Sequence, residues 1–302
     1  MVEISAEDVR KLRDQTGGKM MDCKNALVES GGSLEKAVEL LRKKGLASAE
    51  KKAGREAKDG LVYAHILDGQ KIGTLVEVAC ETDFVARNDD FKAFVKQLAA
   101  HVVASPKRAE IIGPEQTASL LQEKWQHDPS RTIEQVVKDL IAKLGENVVV
   151  RRCARFQEPD AGRVFSYIHH TNKLGVLVDV GCSSEPTAKR PEFTEFLKEI
   201  AMHIAAAMPR AEYLSSEEVP AEALDRERRI ARESDALKGK PAQVLDKIIE
   251  GKIAAFLKGC VVTQQPWIKD DSKTIAQLTK ELSAKLGETI VIRRFARFEI
   301  GA

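Results

Sequence analysis

The reactive side chains of this sequence do not stand at the spacings that catalysis or metal binding requires. The chain contains no G-x-x-x-x-G-K-[ST], G-x-G-x-x-G, H-E-x-x-H or G-x-S-x-G motif, which are common signatures of nucleotide, metal and acyl-transfer sites. A metal site needs cysteines or histidines that converge at short spacing, and the cysteines here are widely separated. We therefore predict that the protein is not an enzyme and binds no metal or cofactor.

A short segment between a predicted strand and a predicted helix has the composition of a protein-binding site. It consists of Thr82, Asp83, Phe84 and Val85. In one interpretation the segment is structural: Thr82 or Asp83 caps the helix, and Phe84 is a hydrophobic staple at its start. In the other interpretation Phe84 is an anchor for a partner's pocket, because aromatic residues are enriched among those that dominate interfaces.

A repeat within the sequence favours the binding interpretation of Phe84. The surrounding framework recurs farther along the chain, where the aligned stretch is Ser184–Thr187 and Pro186 stands at the position of Phe84. The fold therefore does not require a phenylalanine at this position. We expect Phe84 to be exposed at the junction and to contact a partner.

Two adjacent methionines, Met20 and Met21, follow a glycine-rich turn at Thr16–Lys19. Methionine often fills gaps in protein cores. Neighbouring residues of a helix cannot both point inward, however, so we expect at least one of the two to be exposed. Core packing and binding of a partner both remain open for this pair.

Arginines recur in two matching strands and raise the question of phosphate binding. They are Arg151, Arg152, Arg155, Arg293, Arg294 and Arg297. The alternative function that they suggest is a phosphate- or RNA-binding α+β protein. We prefer solvated ion pairs, because acidic residues are abundant. The whole chain also has 48 Lys and Arg against 46 Asp and Glu, a net charge of +2, which is little for gripping a nucleic-acid backbone.

The composition is that of a globular protein from a reducing compartment. Of its 302 residues, 43% are hydrophobic and 31% are charged. The five cysteines lie in apolar contexts, so we expect reduced and largely buried thiols. The charged N-terminal stretch lacks the apolar segment of a secretory signal, and no run of about 18 apolar residues follows it. We expect a cytoplasmic protein with no membrane partner.

The elements that position these residues begin with a small helical unit. The spacing of apolar residues predicts three short helices within residues 1–45, with Ser5 and Ser33 as caps of the first and third. Residues 46–58 are polar and charged, which predicts a semi-flexible tether. We therefore expect a three-helix bundle over 1–45 and a linker over 46–58.

Beyond the linker the sequence repeats itself. Gly60–Cys80 recurs as Gly162–Cys182 at an offset of 102 residues, and Arg131–Phe156 recurs as Lys273–Phe298 at an offset of 142. Each copy is predicted to contain a two-stranded hairpin, two helices and a closing strand. The strands are expected to form an antiparallel sheet that buries one face against the helices.

These patterns predict an α+β fold of one bundle and two pseudo-symmetric subdomains, at residues 59–160 and 161–302. The second copy contains 40 additional residues with a charged helical pattern. Near residues 217–258 they predict an antiparallel helical hairpin, with Leu224 and Ile230 on its inner side and a turn at Gly239–Pro241.

Five motifs run through the chain in a fixed order. They are TGGKMMDCKNAL, KKAGREAKDG, VACETDFVARND, PAEALDRERRIARE and QPWIKDD. TDFV alone would be a weak signal, but the linked series is specific. Together the motifs closely resemble the bacterial-type elongation factor Ts family, over essentially the full length of the chain.

The resemblance implies a fold and a function. The bundle would be UBA-like, and the protein would be a guanine-nucleotide exchange factor for the GTPase elongation factor Tu. It would bind the GDP-bound and nucleotide-free forms of that GTPase, promote GDP release by disturbing the Mg²⁺ and phosphate site, and leave when GTP binds. No catalysis and no direct contact with nucleic acid is implied.

The same resemblance assigns roles to individual residues. The Thr82–Val85 segment would disturb the magnesium site, with Phe84 as a wedge between helices of the partner and Asp83 rearranging contacts near the metal. Met20 and Met21 would contact the GTPase domain. The second subdomain would contact another domain of the partner, and the helical hairpin would serve self-association or partner contact.

Overall fold

The N-terminal part of the chain folds into three helices, as the apolar spacing predicts. The computed structural model describes residues 4–105, 111–233 and 242–301. The helices are α1 (Ala6–Thr16), α2 (Met20–Glu29) and α3 (Leu34–Lys52). The side chains of Ser5 and Ser33 accept hydrogen bonds from backbone N–H groups in the first turns of α1 and α3, which confirms both predicted caps.

Helix α3 extends beyond the predicted end of the bundle. It continues to Lys52, so the interpretation of residues 46–58 as a semi-flexible tether is wrong over its first half. The physical reason is tertiary packing, because Ala49 is buried in the core of the first α+β unit. Packing against a core overrides the weak helical preference of a polar sequence.

The chain after α3 is also tied down by hydrogen bonds. Asn147 donates from Nδ2 to the carbonyl of Arg55 at 2.7 Å, and Arg151 donates from Nη2 to the carbonyl of Ala57 at 2.8 Å. Backbone carbonyls that accept such bonds are held in place. The segment therefore forms an ordered strap between the bundle and the first α+β unit.

The first α+β unit follows the predicted hairpin–helix–helix–strand order, with several short elements added. They are β1 (Asp59–Ile66), β2 (Ile72–Cys80), α4 (Asp83–Ala86), α5 (Asp89–Ala104), β3 (Ile111–Ile112), α6 (Pro114–Leu121), β4 (Lys124–Trp125), β5 (Asp128–Thr132), α7 (Ile133–Leu144) and β6 (Val148–Gln157). The antiparallel sheet has the strand order β1-β2-β6-β3, and β4 and β5 form a separate ribbon. Helices α5 and α7 pack on one face of the sheet.

The second α+β unit repeats this plan and carries the insertion. Its elements are β7 (Gly162–Ile168), β8 (Leu174–Cys182), α8 (Glu185–Ala188), α9 (Pro191–Ala206), α10 (Ala221–Glu233), α11 (Ala242–Cys260), β9 (Pro266–Trp267), β10 (Asp270–Thr274), α12 (Ile275–Leu286) and β11 (Ile290–Glu299). Its sheet is antiparallel with the order β11-β8-β7. The predicted α+β class with antiparallel sheets is confirmed.

The second face of each sheet packs against the other sheet, which the sequence analysis did not anticipate. A shared core of side chains fills this seam: Val62, Leu75, Ala154, Phe156, Val164, Leu177, Ala296 and Phe298. The repeat-related glycines Gly73 and Gly175 permit the close approach. A Cβ on Gly73 would lie 2.8 Å from Val164 Cγ1, and one on Gly175 would lie 2.6 Å from Val62 Cγ1. The sheets therefore form the two central layers between outer helices.

Helices α10 and α11 lie within the predicted insertion and pack on each other. Ala231 and Ile249 are buried together, and Leu224 packs near Phe256 at the base. The placement of Ile230 on the inner side is wrong, because its side chain is exposed and the smaller Ala231 takes that place. The predicted turn at Gly239–Pro241 lies outside the described residues.

Candidate functional site

Phe84 lies on the single helical turn α4, at the junction between β2 and α5. Its side chain is 82% exposed, as the repeat predicted. The equivalent turn in the second unit is α8, which carries Pro186 at this position. The paired phenylalanines that both copies retain, Phe91 and Phe193, are fully buried. The structure therefore separates one exposed phenylalanine from those that build the core.

A bidentate contact with Glu146 holds the start of α4. The Thr82 hydroxyl donates to Glu146 Oε1 at 2.6 Å, and the Thr82 backbone N–H donates to Glu146 Oε2 at 2.9 Å. Thr82 is also the N-cap of α4, with its hydroxyl accepting a weak bond from the Val85 N–H at 3.5 Å. Hydrogen bonds to a charged carboxylate are stronger than neutral ones, so Thr82 is firmly placed.

The residue after Glu146 connects this junction to the strap from the bundle. The Asn147 backbone N–H donates to Glu81 Oε1 at 2.6 Å, while its side chain reaches the Arg55 carbonyl. Arg55 and Glu81 also form an ion pair at 3.6 Å. Asn147 is itself buried. The adjacent residues Glu146 and Asn147 thus contact both the Phe84 turn and the chain that leads to the N-terminal helices.

The four predicted residues of this segment do not share one environment. Asp83 is partly exposed and pairs with Arg87 at 3.1 Å, on the same side of the turn. Val85 is only 8% exposed and packs in the core of the first unit. Thr82, Asp83 and Phe84 therefore reach the surface, whereas Val85 anchors the turn from below.

The thiol of Cys80, beside this junction, is unreactive. Burial, and to a smaller extent the nearby carboxylates of Asp59 and Glu146, raise the pKa of Cys80 to about 12. The protonated thiol donates to the carbonyl of Thr82 at 3.2 Å. All five cysteines are buried and free, as expected from the sequence. Cys80 therefore supports the backbone here rather than acting as a nucleophile.

Helix α2 exposes a second apolar surface. Met20 is 48% exposed and Met21 is 63% exposed, so neither belongs to the core and the core interpretation of the pair is wrong. Val28, two turns farther along the same helix face, is also exposed. Val28 was not identified from the sequence, although its spacing of seven residues from Met21 was a usable signal. Together the three form an apolar stripe.

The repeated arginines are engaged within the protein. Arg152 donates from Nε to Glu77 Oε2 at 2.6 Å, and its guanidinium lies 4.6 Å from the ring centre of Phe298 in the other unit. The predicted ion pair is present, but its carboxylate, Glu77, is almost fully buried instead of solvated. The pair closes one edge of the seam between the sheets.

The same arrangement recurs between the same two strands, with the roles of β6 and β11 exchanged. Arg294 donates from Nε to Asp179 Oδ2 at 2.8 Å, and its guanidinium lies 4.8 Å from the ring centre of Phe156. A cation over an aromatic ring gains strength when it is partly desolvated. The arginine strands therefore bind the two units to each other.

The described residues contain neither of two other common kinds of site. Within residues 4–105, 111–233 and 242–301, no group of three or more His, Cys, Asp and Glu side chains is placed to hold a metal ion. No helix in the same part of the chain is both long and apolar enough to cross a membrane. The apolar surfaces at Phe84 and on α2 remain the candidates.

Comparison with known proteins gives matches along almost the whole chain. Residues 81–302 match the family model described as Elongation factor TS. The chain is 41% identical over 302 residues to "Elongation factor Ts" of Aquifex aeolicus, covering 99% of this chain and 98% of that relative. It is 42% identical over 303 residues to the protein of that name from Nostoc punctiforme, covering 100% and 93%. For Clostridium botulinum (strain Alaska E43) the identity is 44% over 298 residues, covering 99% and 93%.

Proposed function

The chain belongs to the elongation factor Ts family of translation elongation factors, and we propose that it is a guanine-nucleotide exchange factor for the GTPase elongation factor Tu. It binds elongation factor Tu in the GDP-bound and nucleotide-free forms, accelerates GDP release and dissociates when GTP binds. It catalyses no chemical reaction and uses no cofactor. Its working contacts are with a protein.

The observation that carries this proposal is the exposed Phe84 on a firmly held turn. An aromatic side chain in water is unfavourable unless a partner covers it, and the proline at the equivalent position in the second unit leaves the fold unchanged. Phe84 therefore supports a contact that only the first unit makes. A single wedge at a nucleotide site needs one such side chain.

The wedge acts on the metal that holds the nucleotide. Phe84 enters between helices of the partner, and Asp83 rearranges contacts near the metal and phosphates. Mg²⁺ takes few ligands from the protein besides the phosphates and demands near-ideal geometry. Small displacements of those ligands therefore cost much of the affinity for GDP.

Exchange follows from reciprocal coupling between the two ligands of the GTPase. If this protein weakens GDP binding by some factor, GDP weakens binding of this protein by the same factor. A single coupling is typically about 1–3 kcal/mol, so a large acceleration needs several contacts that act together. The stripe of Met20, Met21 and Val28 on α2 supplies a second contact, on the GTPase domain, and the second unit supplies a third.

The engaged arginines argue against the alternative of RNA or phosphate binding. Each of the two pairs, Arg152 with Glu77 and Arg294 with Asp179, would have to break to free a guanidinium for phosphate. Leaving a buried carboxylate unpaired costs several kcal/mol. The observed arrangement favours structural roles for these arginines.

Release of a fluorescent GDP analogue from elongation factor Tu tests the proposed function. The complex is mixed with excess unlabelled nucleotide, with and without this protein, and the decay of fluorescence is followed. We expect release to accelerate with increasing protein until it saturates. Release that stays at the spontaneous rate at every concentration of folded protein would refute the proposal.

A further inference from the structure

The turn that carries Phe84 is too short to hold its own shape. Helix α4 has four residues, and an isolated helix of this length is unstable in water. Burial of Val85 and Ala86 fixes one side of the turn. The side that starts the turn, at Thr82, depends on its hydrogen bonds to Glu146.

The second unit offers an internal comparison. There Ser184 stands for Thr82 and Glu288 for Glu146, and the Ser184 hydroxyl donates to Glu288 Oε1 at 2.7 Å. In the described structure the Ser184 backbone adds no bond to Glu288, so this contact runs through the side chain alone. The bidentate version is found in the unit whose turn carries the exposed phenylalanine.

The position of Glu146 is itself well determined by its neighbours in the chain. Gly145 ends helix α7 in the left-handed conformation at φ 85°, which favours glycine, and β6 begins at Val148. The two residues between these elements have little freedom. Glu146 faces the Phe84 turn, and Asn147 contacts Glu81 and the strap.

We propose that Glu146 is a positioning residue for nucleotide exchange, which holds the turn so that Phe84 projects in the orientation its partner requires. The inference rests on the proposed function, because it gives Glu146 a role only through the action of Phe84. Its bidentate grip fixes both the backbone and the side chain of Thr82, two residues before the wedge. A side chain held ready to bind loses less conformational freedom in the complex.

The test uses matched variants of the two carboxylates. Glu146→Gln retains the size of the side chain but replaces one of its two acceptor oxygens with a donor group. Glu288→Gln makes the same change beside the turn that lacks a phenylalanine. We expect Glu146→Gln to lower the acceleration of GDP-analogue release about tenfold, the loss expected for one hydrogen bond to a charged group. Glu288→Gln should stay within about twofold of the parent.

A double variant separates positioning from general damage. If Glu146 acts through Phe84, Glu146→Gln should cause no further loss of exchange in a Phe84→Ala background. A loss that persists in that background, or an equal loss in Glu288→Gln, would overturn the proposal. So would a Glu146→Gln protein that accelerates release as well as the parent does.

Amide hydrogen exchange tests the grip without reference to the GTPase. We expect the Thr82 and Val85 amides to exchange faster in Glu146→Gln than in the parent, while the amides of α8 are unchanged. Unchanged protection at Thr82 would overturn the proposal. If the parent fails to accelerate nucleotide release, the proposed function and this role fall together. If the parent succeeds and Glu146→Gln matches it, only the positioning role falls.

Discussion

Two phenylalanines, seven residues apart, have opposite relations to the fold. Phe91 is fully buried in the first unit, whereas Phe84 is exposed. We expect Phe91→Ala to lower the free energy of unfolding by about 3–5 kcal/mol, because it removes buried apolar surface and leaves a cavity. Phe84→Ala should change it by less than about 0.5 kcal/mol. Denaturant titration of both variants measures the difference, and the reverse order of losses would contradict the assignment.

At the residue scale, the repeat predicted that Phe84 is exposed, but it did not predict that Glu146 holds the turn that carries it. The substitution by Pro186 in the second copy was visible in the sequence. Glu146 was not identified, because it lies 64 residues from Thr82 and only the sheet topology brings the two together. A carboxylate that follows the same glycine in both copies, Glu146 and Glu288, was the signal available.

Among the elements, helix α2 offers a clean test of partner binding. Met20 and Met21 are exposed, so replacing both with alanine should change the free energy of unfolding by less than about 1 kcal/mol. In the proposed function the same change should weaken binding to nucleotide-free elongation factor Tu about tenfold or more, because two apolar contacts are lost. Titration calorimetry gives the affinity. An affinity equal to that of the parent would show that the stripe is not part of the interface.

The strap after α3 should loosen when its buried anchor is removed. Asn147→Ala deletes the bond to the Arg55 carbonyl and leaves that acceptor without its partner, at a cost of about 1–3 kcal/mol. We expect trypsin to cleave after Arg55 faster in the variant than in the parent. Thr289→Ala, at the equivalent place in the second unit, is the control. Equal cleavage in all three proteins would mean that Asn147 does not order the strap.

The ends of helices could be predicted where local residues mark them. They could not be predicted where tertiary packing sets the boundary. The caps at Ser5 and Ser33 are local, and both were correctly predicted. The end of α3 was placed too early because the burial of Ala49 depends on the first α+β unit, which a polar local sequence does not reveal. The hairpin helices were recognised from their pattern, but the inward residue is Ala231 instead of Ile230.

Across the whole molecule, the seam between the sheets carries a pH dependence. Asp179 is fully buried, and burial followed by the neighbouring Glu158 carboxyl raises its pKa to about 6. Arg294 faces Asp179 directly, and Arg293 lies 3.1 Å from Glu158. The Asp179 carboxyl therefore keeps its proton to a higher pH in the folded protein than in the unfolded chain.

The sign of this effect follows from the raised pKa. The stabilising contribution is complete at low pH and is lost as the pH rises through about 6. From pH 5 to pH 7 we expect the free energy of unfolding of the parent to fall by about 1 kcal/mol more than that of Asp179→Asn. Denaturant titrations at both pH values measure this. An identical dependence in the two proteins would contradict the assignment.

At the scale of the whole molecule, the packing of the two sheets against each other could not be predicted from the sequence. The repeat indicated two related α+β units, but it did not indicate that their sheets pack face to face. Solvated ion pairs were expected from the arginines, whereas Arg152 and Arg294 pair with buried carboxylates and lie over Phe298 and Phe156 of the opposite unit. The contacts between an arginine and the ring of the opposite unit join residues more than 130 positions apart, and no local pattern encodes them.

The most direct test of the account is the exchange activity of Phe84→Ala. Release of the fluorescent GDP analogue from elongation factor Tu is measured with the parent and with the variant, after both are shown to unfold at the same denaturant concentration. We predict that the parent accelerates release strongly and that the variant loses at least about nine-tenths of this acceleration, because a buried aromatic anchor contributes about 2 kcal/mol or more. Equal acceleration by the two proteins would contradict the claim that Phe84 drives exchange.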